Sequence, residues 1–250
     1  FPTRRSSDLG YNWMRFFSDP FVRFAVIPFF DFLSRFTSNY GLIIIIFAAL
    51  VKLVLSPLTL RSYKSMANMR ELQPQMKELQ EKYKDNPQKQ QQETLKLYRK
   101  AKVNPLGGCL PMLLQFPILI TLWRFFQNSI ILRQEEFLWA SDLSAPDYII
   151  NLPFEIPFLG SSIAGFVLLM TGAMIVQSRI TGGMSGGGGA AANPQMKVFQ
   201  YILPVMLLFI FNNFAAGLSL YYLIFNVLSI AQQFYLNKST HKEKLAEAKS

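Results

Sequence analysis

From Gly41 to Leu60 the chain runs twenty residues with one charged side chain, Lys52, in their midst. An α-helix rises ~1.5 Å per residue, and about 20 apolar residues cross the ~30 Å hydrocarbon core of a bilayer. A segment with LIIIIFAALV at its heart therefore points to a membrane. Backbone polar groups inside lipid must bond internally, so a span of this kind is helical. Composition agrees: 16% of the residues are charged and 51% hydrophobic, where soluble domains carry about 25% charged residues.

The same reading extends along the chain. Residues 1–18 stay unassigned; FPTRRSSDL has no signal-peptide hydrophobic region and is open to a foreign origin. Residues 19–40, with aromatics mixed among Arg23, Asp31 and Arg35, are too polar to span and read as an amphipathic helix lying in the interface. A five-span core is expected over 41–237. Its spans fall at 41–60, 106–130 (interrupted by Pro111 and Pro117), 158–177, 198–214 and 217–236. Residues 178–197 hold GGMSGGGGAAANP and read as a flexible linker. Residues 238–250 form a polar tail.

Charge sets the orientation. Residues 61–104 carry eleven Lys/Arg against five acids, whereas 131–156 carry Arg133 against five acids. The linker has Arg179 and Lys197 and no acid, and the tail has four Lys against two Glu. The positive-inside rule puts 61–104, the linker and the tail in the cytoplasm, with the acidic loop and the N-terminal end outside. The net charge of +10 is then a topological signal, with attraction to anionic lipid, and calls for no nucleic acid.

Within 61–104, Met66, Met69, Leu72, Met76, Leu79 and Tyr83 recur at spacings of 3, 3, 4, 3 and 4, a heptad-like seam. Asp85-Asn86-Pro87 breaks the helix, and a second stretch over about 88–102 presents Leu95 and Tyr98. The pattern predicts a cytoplasmic helical hairpin. Met66, Met69, Met76 and Tyr83 serve either its packing or a surface that receives partners, since Met adapts to varied ligands.

Lys52 is the most informative side chain. A charge at mid-membrane costs about 2.5–3.5 kcal/mol on insertion scales. It faces a protein interior or watery cavity, unless its stem snorkels to the interface. Arg124, nearer a span end, fits snorkelling. Gln115, Ser219, Tyr221, Tyr222, Asn226, Ser229, Gln232 and Gln233 add polar groups to the spans. They bond helix to helix or, with Lys52, line a half-hydrated groove. No acid lies within a span, which argues against a proton pump or ion-coupled transporter. A single Cys109 and a single His241 rule out an intrachain disulfide and a cysteine or histidine metal site. Neither GxxxxGK[ST] nor HExxH is present, so no cofactor, metal or enzymatic reaction is implied.

Four stretches, IIIIFAALVKLVLSPLTLRSYKSMANMRELQP (43–74), KVNPLGGCLPMLLQFPI (102–118), ILRQEEFLWASDLSAPD (131–147) and GLSLYYLIFNVLSIAQQ (217–233), carry a resemblance. The chain resembles the YidC family of membrane protein insertases over residues 19–237. The resemblance implies an all-α membrane protein: five transmembrane helices around a hydrophilic groove open to the cytoplasm and to lipid, with a cytoplasmic helical hairpin and an outer amphipathic helix. It implies a bacterial inner-membrane protein, truncated at its N-terminus relative to members with an extra span and a periplasmic domain. Lys52 takes the position of the family's groove charge, often Arg. A Lys keeps the charge without the planar fork. Tyr222, beside Tyr221, takes the position of the substrate-contacting tyrosine, and Ala48 stands where a Thr is frequent.

The activity that the resemblance implies is insertion of nascent transmembrane segments without nucleotide hydrolysis. The partners implied are nascent membrane proteins, membrane lipids, the general translocation channel, signal-recognition machinery and the ribosome. A small-solute transporter would show internal repeats, and none is evident. A non-catalytic scaffold of the translocation channel is the other alternative.

Overall fold

The computed structural model describes residues 19–84, 86–101, 110–157, 159–184 and 194–247. Residues 1–18, Cys109 and the glycine run at 185–193 lie outside the described residues, and with them the readings made there. A π-helical turn, Val22–Val26, runs into α1 (Ile27–Ser34). Helix α2 (Tyr40–Glu71) follows, then α3 (Gln73–Lys82), α4 (Pro87–Lys100) and α5 (Leu110–Asn128). Strands β1 (Tyr148–Ile156) and β2 (Gly160–Ala164) precede α6 (Gly165–Met184), α7 (Pro194–Phe211) and α8 (Ala216–Glu247).

Local chemistry sets the helix ends. Asn39 Oδ1 accepts from Leu42 N at 3.0 Å and starts α2; Asn86 Oδ1 accepts from Lys89 N at 3.1 Å and starts α4, with Pro87 at its first position. Both are N-caps, and a proline at the first position has no N–H to leave unbonded. Helices α3 and α4 pack against each other as the expected hairpin. Its first arm belongs partly to α2, which continues from the apolar segment as far as Glu71. Helix α8 continues through the polar residues beyond 236 to Glu247, so most of the tail is helical.

Among the described residues, one helical segment is long and apolar enough to cross a membrane: Tyr40–Leu60, 21 residues with mean hydropathy 2.5. Gly165–Ile180 and Ile202–Phe211 are apolar but shorter. Among the described residues the architecture departs from all-α in one paired-strand element. Residues 148–164 form an antiparallel hairpin, so the helix expected from 158 begins at Gly165. Pro153 and Pro157 oppose helix there, the intervening positions are rich in Ile and Phe, and Gly160 takes φ +84° at the turn.

The apolar core sits at the end where α2 begins. Ile43, Ile44 and Phe47 of α2, Leu122, Phe125 and Phe126 of α5, Phe166 and Met170 of α6, and Leu218 and Tyr221 of α8 are buried there together with Phe30 of α1. Phe30 lies 5.1 Å from the Phe125 ring and 5.8 Å from the Phe47 ring. Leu53 and Val54, 72% and 64% exposed, continue the outward-facing stripe of Leu42, Ile46 and Leu50 along α2.

The 130–147 loop closes over this end. It supplies Ala145 O and Leu143 O to the N–H groups of Ala216 and Gly217, at 2.8 and 2.9 Å. These are first-turn donors of α8 that its own helix cannot satisfy. The loop also presses the Phe137 ring onto Gly41, where any Cβ would collide with it. Gly41→Leu is expected to lower the thermal midpoint in detergent by several degrees, since overpacking costs about 1–3 kcal/mol. Adding Phe137→Ala to that variant should recover part of the loss. An unchanged midpoint in the single variant would show that the loop does not seat on α2.

Candidate functional site

Helices α2 and α8 run side by side in the same direction. Phe47 lies against Tyr221 with ring centroids 6.0 Å apart, Lys52 meets Phe225 and Ser229, and Ser56 meets Gln232. On α8 the residues Ser219, Tyr222, Asn226, Ser229 and Gln233 recur at spacings of 3, 4, 3 and 4, which places them on one helix face. All five are buried. A polar stripe therefore runs the length of the apolar part of α8.

Lys52 meets this stripe near its middle. Its side chain is 6% exposed. Its Nζ donates to Ser229 Oγ at 2.7 Å and stands 4.9 Å from the centre of the Phe225 ring. Ser229 Oγ in turn donates to Phe225 O at 2.7 Å, so the hydroxyl is oriented to accept from the ammonium. The amine is turned into the α2–α8 seam, not along α2 toward an interface. No carboxylate pairs with it among the described residues. A hydroxyl and a ring face stabilise an ammonium less than an anion does. The charge is thus held in place but left uncompensated.

One turn further along, Gln232 Nε2 donates to Ser56 Oγ at 2.8 Å. In the other direction, Gln115 Nε2 of α5 donates to Tyr222 Oη at 3.3 Å, and Asn226 Nδ2 donates back to Tyr222 O at 2.7 Å. The Tyr222 ring stands edge-on to Phe211 of α7, with centroids 5.6 Å apart. The buried Gln115 Oε1, Ser219 Oγ and Gln232 Oε1 make no hydrogen bond within the protein. Buried polar atoms of that kind call for a reason; here Ser219 lies on the stripe, and Gln115 and Gln232 flank it through their bonds to Tyr222 and Ser56.

The structure thus brings Lys52, Gln115, Tyr222 and Asn226 into one seam system, and places Ser219 and Tyr221 deeper, in the core at the Tyr40 end. Arg124 lies on α5 one turn before the helix ends at Asn128, half-buried. Met66 and Met69 fall on α2, but their side chains lie outside the described ones. Met76 is 1% exposed and so packs the hairpin instead of presenting a surface. Tyr83 is half-buried, with the Lys82 and Lys89 ammonium groups 5.7 and 5.5 Å from its ring.

Two buried polar anchors escape a reading of the sequence alone. Asp147 Oδ2 accepts from Trp139 Nε1 at 2.9 Å and from Phe166 N at 2.7 Å, while Asp147 O accepts from Gly165 N at 3.0 Å. It caps α6 from eighteen residues upstream, where a negative charge also opposes the helix dipole favourably. Asn212, in the turn between α7 and α8, accepts from Ala164 N at 2.9 Å and donates to Leu159 O and Ser162 O at 2.9 and 2.8 Å. In the same loop as Asp147, burial alone would raise Asp142. The hydrogen bonds it accepts from the Ser144 hydroxyl and N–H outweigh that and hold it below the usual carboxylate range.

Among the described residues, a mainly helical fold with one membrane-length apolar helix, holding an ammonium against a polar stripe on its neighbour, is the architecture expected of a membrane protein with a polar interior. Residues 32–244 match the family described as 60Kd inner membrane protein, and the chain belongs to that family. It is 52% identical over 238 residues to the membrane protein insertase YidC of Prosthecochloris aestuarii, covering 95% of this chain and 39% of that protein. It is 52% identical over 233 residues to the YidC of Chlorobium phaeovibrioides, covering 93% and 39%. To the YidC of Chlorobaculum tepidum it is 48% identical over 242 residues, covering 96% and 40%. A solved structure described as an active YidC insertase with the first transmembrane domain resolved superposes with a TM-score of 0.64 at 33% identity, covering 86% of this chain and 46% of that one. The family and its relatives place the chain in the bacterial inner membrane. The chain spans roughly two-fifths of the length of these curated relatives.

Proposed function

We propose that this chain is the core of a membrane protein insertase, which passes nascent transmembrane segments from the cytoplasm into lipid along the α2–α8 seam. The observation that carries the reading is Lys52: an ammonium in the middle of a membrane-length helix, turned inward and given a neutral hydroxyl as partner. A permanent ion pair would serve stability alone. An uncompensated buried cation instead favours the approach of an anion, and the polar flank of an incoming segment supplies carboxylates. In this proposal the spans are the apolar part of α2, then α5, α6, α7 and α8. The α3–α4 hairpin and the C-terminal end of α8 are cytoplasmic, and the 130–164 region and α1 lie on the outer side.

The physical task is to move polar backbone through ~30 Å of hydrocarbon, where each unsatisfied group costs several kcal/mol. A polar stripe open on the cytoplasmic side shortens that path. The stripe residues Gln115, Tyr222, Asn226 and Ser229 lend hydrogen bonds in passing, and Lys52 draws acidic flanks inward. The driving force is burial of the substrate's own apolar helix, roughly 25 cal/mol per Å², so no nucleotide is consumed. The hairpin receives the substrate or the machinery that delivers it; nascent membrane proteins, the translocation channel, signal-recognition machinery and ribosome are its proposed partners.

Two measurements test the reading. A photocrosslinker in place of Tyr222 should capture a single-span substrate during its synthesis, while the same group at the exposed Leu169 of α6 should capture far less. Absence of any crosslink at 222 would remove the seam as a path. Reconstituted alone in liposomes, the chain should insert that substrate; a passive scaffold of the translocation channel would insert nothing.

A further inference from the structure

We propose that Ser229 sets the seam's preference for acidic segments: its hydroxyl positions the Lys52 ammonium and, being neutral, leaves the charge free for a carboxylate of the incoming chain. The inference rests on the insertase reading of the α2–α8 seam and names a determinant of its substrate preference.

A lysine carries its charge on a flexible four-carbon stem. In a bilayer-crossing helix such a stem reaches for water at the interface. The Lys52 side chain is buried instead, with Nζ bonded to Ser229 Oγ at 2.7 Å. A hydroxyl has one proton, and that of Ser229 is committed to Phe225 O, one turn back on α8, at 2.7 Å. Ser229 therefore meets Lys52 only as an acceptor, with its lone pairs aimed at one place. The Phe225 ring, 4.9 Å from Nζ, flanks the ammonium with its π face. Two contacts from a single turn of α8 thus fix where the charge sits.

The same contacts leave the ammonium able to bind. It has three N–H donors, and Nζ makes one hydrogen bond among the described residues. Donors remain for a carboxylate, and the side chain at 229 decides whether one can use them. Alanine removes the acceptor. One turn further along α8, Gln232 Oε1 is buried and makes no hydrogen bond within the protein, and Gln232 is joined to Ser56, one turn beyond Lys52 on α2. Without Ser229 the ammonium moves toward that acceptor and toward the Leu60 end of the span. Aspartate at 229 supplies a resident carboxylate, with which a substrate's carboxylate has to compete. Threonine keeps the hydroxyl and its bond to the carbonyl one turn back.

The test reconstitutes the parent, Ser229→Ala, Ser229→Thr, Ser229→Asp and Lys52→Ala in liposomes. Insertion is measured for paired single-span substrates with an acidic or a neutral translocated tail. In parallel, acetylation of Lys52 by a water-soluble N-hydroxysuccinimide ester is followed by mass spectrometry. Ser229→Ala should lower the acidic-to-neutral insertion ratio several-fold and speed acetylation of Lys52 several-fold. Ser229→Thr should restore both. Ser229→Asp should lower the ratio as far as Lys52→Ala does, without speeding acetylation. A parental ratio and a parental acetylation rate in Ser229→Ala would overturn the proposal. Equal loss of both substrates in the Ala and Thr variants would make Ser229 a packing residue and overturn it too. If Ser229→Ala does not fold, Ser229→Asp decides, since a parental ratio there is also fatal. Lys52→Ala separates this failure from failure of the underlying reading. Where it lowers the ratio and the Ser229 variants do not, the role of Lys52 stands and that of Ser229 falls; where neither moves the ratio, both fall.

Discussion

Lys52→Ala is expected to reduce insertion of a substrate with an acidic translocated tail about tenfold, while a neutral-tailed substrate loses less than about twofold. The magnitude comes from electrostatics. Two unit charges 4 Å apart attract by about 4 kcal/mol at an effective dielectric of 20, and the cost of desolvating the incoming carboxylate removes most of that. A residue of about 1.4 kcal/mol is a factor of ten. The same variant is expected to keep its thermal midpoint in detergent or raise it. Removing a buried cation whose partner is a hydroxyl leaves no charge behind, and such replacements are often neutral or stabilising. Lys52→Met retains the apolar stem against Phe225 and separates lost charge from lost packing. Lys52→Arg should restore acidic-tail insertion to within a few-fold. Equal loss for both substrates, or a collapse of the midpoint with activity falling alongside it, would assign Lys52 a structural role.

How much of this site is legible in the chain depends on what each residue's neighbours are in sequence. Lys52 stands out because it is the one charged residue in a mostly apolar stretch of twenty, so its cost is visible without any partner. The α8 stripe is equally legible, because a helix converts spacings of 3 and 4 into one face. The sequence does not reveal the register between α2 and α8, which makes Ser229 and Phe225 the lysine's neighbours. Ser56, bonded to Gln232, has the look of a helix end beside Pro57 and carries no signal of its own. The α3–α4 turn is marked by Asn86-Pro87, a local signal. The hairpin at 148–164 is hidden because its Ile, Phe and Leu content resembles the start of a span, and its two prolines read as loop.

The Met seam shows the opposite limit. Its periodicity is correct as a helical pattern, but periodicity alone cannot distinguish a packed seam from a receptive surface. Burial of Met76 decides for packing at that position.

Asn212→Leu is expected to produce the largest loss of stability of any single side-chain change at the Tyr40 end. Asn212 is fully buried and satisfies three backbone groups from the hairpin: the Ala164 N–H and the carbonyls of Leu159 and Ser162. Leucine has similar volume and fills the space, so the effect isolates hydrogen bonding. Each orphaned buried group costs about 1–3 kcal/mol, and partial relaxation of the hairpin leaves a net of about 3 kcal/mol. At about 2–4 °C per kcal/mol for a chain of this size, the midpoint should fall about 10 °C. Amide exchange at Ala164 should accelerate with it. Asn212→Asp sharpens the assignment through pH. The substituted carboxylate keeps the acceptor for Ala164 N–H but turns an oxygen toward two carbonyls, so its native state favours the protonated form. A folded-state pKa above the unfolded one means the native state binds the proton more tightly. Stability is then greatest below the unfolded pKa and falls as pH rises through the folded pKa. The Asp variant should therefore melt nearer the parent at pH 4 than at pH 8, while the Leu variant shows no such recovery. A midpoint for Asn212→Leu within 2–3 °C of the parent, or roughly 1 kcal/mol, would mean that the loop and the Asp147 cap hold this end without the asparagine.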